Sequence, residues 1–175
     1  MSKHDYSNRK YSVVPYDPAW PETFEEIKHQ LEPIFKDLAE NIEHIGSTAV
    51  PGMSGKATID VLVAVKDINQ VDTLNDRMAD LGYEALGEYV TPGSRLFAFD
   101  KDGERYINVH CFTLDHPKYM RFLLVRDYLR SHPEESAAYS KLKLELFEKY
   151  PDNYGAYRQE KDAYMKELEK RANLL

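Results

Sequence analysis

Apolar residues recur every three or four positions from Glu22 onward, the spacing of one face of an amphipathic helix. The apolar positions of this segment are Phe24, Ile27, Leu31, Ile34, Phe35 and Leu38. Pro33 interrupts the pattern and predicts a kink or a restart of the helix. Before it, residues 13–21 contain three prolines, which predicts an extended, turn-rich segment. Residues 1–12 are polar and are expected to be flexible.

The middle of the chain alternates between strand-like and turn-like segments. Five strands are predicted, at residues 42–45, 57–65, 83–90, 96–100 and 105–112. The continuous apolar, β-branched run in 57–65 is typical of a strand buried on both faces. Residues 68–81 follow a helical period, with Gly82 as the predicted C-cap. In 105–112, Asn108 and His110 alternate with apolar residues, so we expect the polar pair on one face.

The last third of the chain is helical in pattern. Helices are predicted at residues 117–130, 134–150 and 153–172, the last capped by Asp152 or Asn153. A helix, a mixed sheet and then helices indicate an α/β (α+β) fold. We therefore expect one domain over residues 13–175, with an α/β core at 13–114 and a helical part at 115–175.

Charge and composition exclude several classes of protein. The net charge is −7, divided as −8 over the first 114 residues and +1 over the remainder, and no basic cluster is evident. This argues against binding of long nucleic acid. No apolar run is long enough for a membrane span, and no apolar stretch follows the first residues, so a cytoplasmic protein without a secretory signal is expected. The single Cys111 excludes an internal disulfide and a cysteine-rich zinc site.

Residues 44–60, with sequence HIGSTAVPGMSGKATID, concentrate the candidate chemistry. Gly46 and Ser47 leave a strand and offer backbone amides and a hydroxyl to phosphate oxygens. Lys56 adds a positive charge. Asp60 lies inside an apolar strand and therefore needs a partner, such as a divalent metal. The alternatives are an ordinary tight loop and a carboxylate that accepts from neighbouring backbone amides.

Two histidines and two arginines extend this candidate site. His44 precedes the glycine turn and either reaches a phosphate or base, or is satisfied by a neighbour on the sheet. His110 shares its strand face with Asn108, which favours a role in the site for this polar pair. Arg126 and Arg130 share a helix face, either over phosphates or in salt links with neighbouring acids.

The motif of residues 44–56, followed by Ile59 and Asp60, resembles the signature of the GrpB family, which is assigned to the nucleotidyltransferase superfamily. The likeness continues along the rest of the chain, through Asn108–His110, Arg126–Arg130, His132, Pro133, Tyr139, Leu142, Lys143, Tyr157 and Lys161. It implies that the Gly-Ser turn, with Thr48, binds nucleotide phosphates and that carboxylates on the next strand hold magnesium. It also makes Arg126 and Lys161 candidates for the pocket.

The sequence departs from the superfamily where two acids are normally spaced D-x-D, because Val61 and Leu62 follow Asp60. Either Asp60 and His110 rebuild the metal site and its catalysis, or metal-dependent transfer has been lost. The resemblance implies an enzyme that moves a nucleoside monophosphate from an NTP to a small acceptor, with Mg²⁺ or Mn²⁺, as a monomer or homodimer. The alternatives are a non-catalytic module that binds nucleotides or phosphometabolites, and a phosphohydrolase.

Overall fold

A mixed β-sheet and the helices around it form the described part of the chain, residues 7–89 and 91–174 of a computed structural model. The strands are β1 (Ala39–Ile45), β2 (Ile59–Val65), β3 (Glu84–Ala85), β4 (Arg95–Lys101) and β5 (Glu104–Phe112). The helices are α1 (Trp20–Phe35), α2 (Asn75–Asp80), α3 (Pro117–Ser131), α4 (Pro133–Lys149) and α5 (Tyr154–Arg171). The predicted α+β class, with a helical C-terminal part, is confirmed.

The strands are ordered β1-β2-β5-β4-β3 in the sheet. β2 and β5 are parallel, and the other neighbouring pairs are antiparallel. In the parallel pair, Asp60 lies opposite Asn108 and Leu62 lies opposite His110. Because side chains alternate between the two faces of a strand, Asp60, Asn108 and His110 share one face.

The other face carries the main hydrophobic core. Val61 and Val63 of β2 and Val109 of β5 are fully buried there beneath α1 and α2. Complete burial of one such side chain contributes about 1.5–3 kcal/mol of hydrophobic free energy. The apolar stripe of α1 therefore fixes which face of the sheet is closed, and the polar residues of β2 and β5 lie on the opposite face.

The polar face is only partly covered. Phe112 and Leu62 pack against Tyr119 of α3, and the loop after β1 packs through Val50 and Met53 on the C-terminal helices. Between these two contacts, the sheet and the helices enclose a cleft.

Two predicted helices differ in detail from the structure. α1 continues through Pro33 without a restart and ends two residues later, where Lys36 adopts a φ of 46°. The segment predicted as one helix over 68–81 divides into a 3₁₀ turn, Ile68–Leu74, and the short helix α2. The turn begins where the Asp67 side chain accepts a hydrogen bond from the Asn69 amide at 2.9 Å.

The predicted strand at 83–90 is wrong beyond β3. Gly87 and Tyr89 both have a positive φ, at 63° and 46°, which extended strands do not allow. The last position of that prediction, Val90, lies outside the described residues. Gly82, with a φ of 90°, donates its amide to Ala79 at 2.8 Å just after α2, as a glycine after a helix end does.

The described segment before α1 packs on both halves of the molecule. Tyr11, within the segment predicted to be flexible, is buried against Leu146 and Tyr157 of the C-terminal helices. Val14 pairs with Gly55 through two backbone hydrogen bonds of 2.9 and 3.0 Å. Packing therefore begins before residue 13, and residues 1–6 lie outside the described chain. None of the described helices has both the length and the apolar character needed to cross a membrane.

Candidate functional site

The cleft between the polar face of the sheet and the C-terminal helices has a volume of about 450 Å³. It contains eight of the residues predicted from the sequence as site residues. They are Gly46, Ser47, Lys56, Asp60, Asn108, His110, Arg126 and Lys161. Its size lies in the range of small-molecule sites. The sequence therefore identified the wall formed by the sheet and, through Arg126 and Lys161, two residues of the helical wall opposite.

Gly46 forms the sharp turn at the end of β1. Its φ is 77°, and a Cβ placed on it would lie 2.6 Å from Oδ2 of Asp60. Ser47 then begins a 3₁₀ turn, Ser47–Ala49, which presents its hydroxyl to the cleft. A glycine is required here for two reasons, the backbone conformation and the close approach of the Asp60 carboxylate.

The two requirements can be separated by mutation. Gly52 has nearly the same φ, 79°, with nothing within 4 Å of an added Cβ, so Gly52→Ala should cost only the backbone strain, about 1–2 kcal/mol. Gly46→Ala should lose about 1–3 kcal/mol more, because the new methyl group displaces Asp60. Urea unfolding of both variants measures the difference. Equal losses would show that Asp60 does not depend on the glycine.

Asp60 is the centre of a polar triad on two adjacent strands. Its Oδ1 accepts a hydrogen bond from Nδ2 of Asn108 at 2.9 Å and lies 3.2 Å from Nε2 of His110. Burial raises the pKa of Asp60, but His110, Asn108 and the charge of Lys56 outweigh burial and hold the pKa below its usual range. Arg105 donates to Oδ1 of Asn108 at 2.8 Å and so orients the amide. The triad presents a carboxylate held in its ionised form.

The triad does not fit a resident magnesium ion. Mg²⁺ needs several oxygen donors in near-octahedral geometry, and Asp60 is one carboxylate whose Oδ1 already has two partners. Across residues 7–89 and 91–174, no group of three or more His, Cys, Asp and Glu side chains is arranged to hold a metal. The metal-ligand roles of Asp60 and His110 therefore stay predictions, restricted to a metal that arrives with its own phosphate ligands.

Lys56 and Tyr154 form a buried pair at the cleft. Nζ of Lys56 donates to the Tyr154 hydroxyl at 2.7 Å and lies 4.6 Å from the centre of the ring. Burial lowers the pKa of Lys56, partly offset by Tyr154. Burial raises the pKa of Tyr154, but Lys56, Lys161 and Arg9 outweigh it, so the pKa of this phenol is lowered. Several cations therefore converge on a single hydroxyl.

Lys143 of α4 also lines the cleft, although no sequence motif assigned it a role there. It is 1% exposed, and its Nζ donates to Oγ of Ser47 at 2.7 Å. The signal was present in the sequence, because Lys143 lies four residues after Tyr139 on the apolar stripe of its helix. Lys161 of α5 contributes a further cation, 2.9 Å from Asp162. Burial lowers the pKa of Lys161, yet Tyr139 and Asp162 raise it overall.

The lining of the cleft is strongly basic although the chain as a whole is acidic. Ten of the lining residues are Lys or Arg and four are Asp or Glu. Most of the arginines are neutralised by carboxylates. The pairs are Arg95 with Asp72, Arg105 with Asp100, Arg121 with Glu169, Arg126 with Glu43 and Asp127, and Arg158 with Asp162. The lysines around Ser47 keep a surplus of positive charge. Such a local potential attracts small anions whatever the net charge of the protein.

His44 and Thr48 do not line the cleft, so their predicted contact with a nucleotide is not supported by the structure. His44 is on the α1 side of the sheet, 7% exposed, with its ring stacked on Phe24 at 4.7 Å. Its Nε2 lies 2.9 Å from Oγ1 of Thr48, which donates to the Thr58 carbonyl at 3.2 Å. Burial lowers the pKa of His44 to about 4. Both side chains support the Gly46/Ser47 turn from the α1 side of the sheet.

Comparisons with known proteins give the same family along the whole chain. The model of the GrpB protein family matches residues 10–171. The UPF0157 protein YqkA of Bacillus subtilis is 38% identical over 170 residues, 97% of this chain and 49% of its own, so the chain spans about half the length of that relative. The glutamate-rich protein GrpB of Alkalihalophilus pseudofirmus is 31% identical, over 89% of this chain and 92% of its own. The crystal structure of conserved protein GrpB from Enterococcus faecalis superposes with a TM-score of 0.87 at 38% identity, covering 92% of this chain and 96% of that one. The chain belongs to the GrpB family.

Proposed function

We propose that the protein binds a nucleoside polyphosphate in the basic cleft, with the phosphates against the Gly46/Ser47 turn and the neighbouring lysines. The observation that carries this proposal is the concentration of ten Lys and Arg residues in the cleft of a chain whose net charge is −7. Gathering buried cations costs desolvation and mutual repulsion. A polyanionic ligand offsets both costs, because its phosphate oxygens accept several charge-assisted hydrogen bonds at once.

The shape of the cleft favours a small ligand over a nucleic acid strand. A volume of about 450 Å³, closed by the sheet on one side and helices on the other, suits a single nucleotide. The lining also contains Phe112, Phe122 and Val125, which offer an apolar surface for a base beyond the basic corner. A screen of nucleotides identifies the base and the sugar that the cleft prefers.

Metal-dependent nucleotidyl transfer to a small acceptor is the second candidate function. The observation that favours it is the Asp60 carboxylate, held in its ionised form beside the phosphate-binding turn. A carboxylate at that place repels phosphate unless a cation lies between them. Mg²⁺ or Mn²⁺ carried by an NTP would supply this cation, since magnesium is often held by one or two carboxylates together with substrate phosphates.

A thermal-shift screen with the four NTPs, each with and without Mg²⁺ or Mn²⁺, tests both candidates. A nucleotide at a hundred times its Kd should stabilise the protein by about 2.7 kcal/mol, which raises Tm by about 5–10 °C. Lys56→Met should remove most of the shift, because it deletes a cation of the cleft. Lys141→Met is the matched control, since Lys141 is 78% exposed and does not line the cleft.

The outcomes separate the candidates. A shift without metal that survives in Asp60→Ala supports binding alone. A shift that needs the metal and disappears in Asp60→Ala supports nucleotidyl transfer, and the nucleotide found then serves to screen acceptors. Absence of any shift with all four nucleotides contradicts the proposed function. Release of free phosphate without transfer would indicate a phosphohydrolase instead.

A further inference from the structure

Lys143 and Ser47 meet at the inner end of the cleft, at a corner that we define by Ser47, Gly55 and Lys143. The Lys143 side chain crosses from α4 above the ring of Tyr139, 4.3 Å from its centre, and ends 2.7 Å from Oγ of Ser47. Gly55 leaves the room for this contact: a Cβ there would lie 2.8 Å from Cβ of Ser47 and 3.2 Å from Nζ of Lys143. The corner is therefore built around a buried amine and a hydroxyl.

The charges that face Lys143 are mainly positive. Lys56 lies on the segment beside Gly55, and Lys161 of α5, paired with Asp162, lies on the other side. On its own helix the nearest titratable group is Tyr139. Burial first, and then Lys161 and Lys56, lower the pKa of Lys143 well below that of an exposed lysine. Among the described residues no carboxylate pairs with Lys143, so only the Ser47 hydroxyl and the face of the Tyr139 ring compensate a charge on it.

We propose that this corner binds the terminal phosphate of the ligand and that Lys143 takes up a proton as the phosphate binds. The inference rests on the proposed function. It adds that the terminal phosphate lies at the corner and that the affinity for the ligand depends on pH. A terminal phosphate is a dianion with three acceptor oxygens. Placed beside Ser47 and Lys143, it reverses the local potential and favours the ammonium form of Lys143.

The coupling has a definite sign. The complex holds one proton more than the separate partners, so affinity rises as pH falls through the range in which ligand-free Lys143 is neutral and bound Lys143 is charged. The limiting slope is about a tenfold change in Kd per pH unit for one proton taken up. A site made of permanently charged groups, such as arginines alone, would show no such slope. The corner would thus release phosphorylated ligands as the medium becomes more alkaline.

Isothermal titration calorimetry with ATP and with inorganic tripolyphosphate measures the proton directly. Each ligand is titrated at about pH 8, where a terminal phosphate monoester has lost its second proton, in two buffers of different ionisation enthalpy. The dependence of the observed heat on the buffer gives the number of protons taken up, and we expect net uptake of up to one proton per ligand. A proton given up by tripolyphosphate on binding would have the opposite sign and cannot imitate this result.

Two variants assign the proton to Lys143. In Lys143→Arg the side chain stays charged at this pH, so ligand should bind with little or no uptake. Lys141→Arg, on the exposed side of the same helix, is the control and should keep the uptake of wild type. If Lys143→Arg does not fold, the Cε resonance of ¹³C-labelled lysine in the wild-type protein supplies the same information, because it should move to the position of a charged lysine on addition of ATP.

The results distinguish failure of the inference from failure of the proposed function. Binding with the same heat in both buffers, or uptake that persists in Lys143→Arg, would overturn the role of Lys143 and leave nucleotide binding intact. Absence of binding by tripolyphosphate and by all four NTPs would overturn the corner and the proposed function together. Binding of tripolyphosphate with uptake, but not of ATP, would support the corner and limit the ligand to phosphates without an adenine base.

Discussion

Lys143→Met should abolish detectable binding of nucleotide while raising the stability of the ligand-free protein. The two effects have opposite signs because the Lys143 amine contributes to ligand binding but destabilises the ligand-free protein. In the ligand-free state its amine is 1% exposed, and burial together with two neighbouring cations disfavours its charge. Methionine has a similar length and no charge to desolvate, and its thioether packs well against an aromatic ring such as that of Tyr139. Because the ligand-free amine is neutral, folding removes the proton that the unfolded lysine carries at neutral pH, and methionine avoids this cost.

The expected loss of affinity is a hundredfold or more, about 3 kcal/mol, because the terminal phosphate loses its buried charged donor. Thermal unfolding of the ligand-free variants and calorimetry with ATP measure the two effects on the same samples. Lys141→Met, on the exposed side of the same helix, should change neither. A Lys143→Met protein that is clearly less stable than wild type, and that binds ATP normally, would show that Lys143 supports packing and does not contact the ligand.

The fold was predictable where one periodic pattern extends over a whole element. The apolar stripe of α1 and the alternation along β5 each indicate one buried face. The alternation along β5 predicts that Asn108 and His110 share the polar face, where the parallel pairing with β2 also places Asp60. The strand predicted at 83–90 shows the limit of the method. Tyrosine and valine in this segment favour a strand, yet the backbone turns at Gly87 and Tyr89. Residue preference predicts that a strand begins here, but the backbone conformation determines where it ends.

The wall of the site contributed by β1, β2 and β5 was predictable for a physical reason. Glycine, serine and an isolated carboxylate stand out within apolar strands, and such residues need a local explanation. On the opposite wall, the family resemblance implied Arg126 and Lys161, but the apolar stripe that carries Lys143 did not show what its amine contacts. Lys143 contacts Ser47 across 96 positions of sequence, and only the packing of α4 against the turn buries it. The same limit applied to His44, since the sequence did not reveal which face of β1 meets α1.

His44 should make the stability of the protein depend on pH in the mildly acidic range. The pKa of a histidine is about 6.5 in the unfolded chain, and burial lowers the pKa of His44 to about 4 in the folded one, against the opposing effect of Asp60 and with that of Arg126 and Arg130. Between these two values the unfolded chain binds the extra proton, so the free energy of unfolding falls as pH falls. From about pH 7 to about pH 4.5 the loss caused by His44 should be about 2.5 kcal/mol.

Urea unfolding at those two pH values measures the loss, and His44→Gln should remove most of it. Glutamine keeps an amide that can hydrogen-bond the Thr48 hydroxyl, but it does not titrate and lacks the ring that stacks on Phe24. The variant should therefore be less stable at neutral pH and less sensitive to acid. His29→Gln is the matched control, because His29 is exposed on α1 and should leave the pH dependence of wild type unchanged. Carboxylates with lowered pKa values, such as Asp60, reduce the free energy of unfolding mainly at lower pH. In the unfolded chain they take up protons mostly below the pH at which histidine is fully protonated. If wild type and His44→Gln lose equal free energy between the two pH values, His44 has the same pKa in the folded protein as in the unfolded chain, and its burial between Phe24 and Thr48 does not control its protonation.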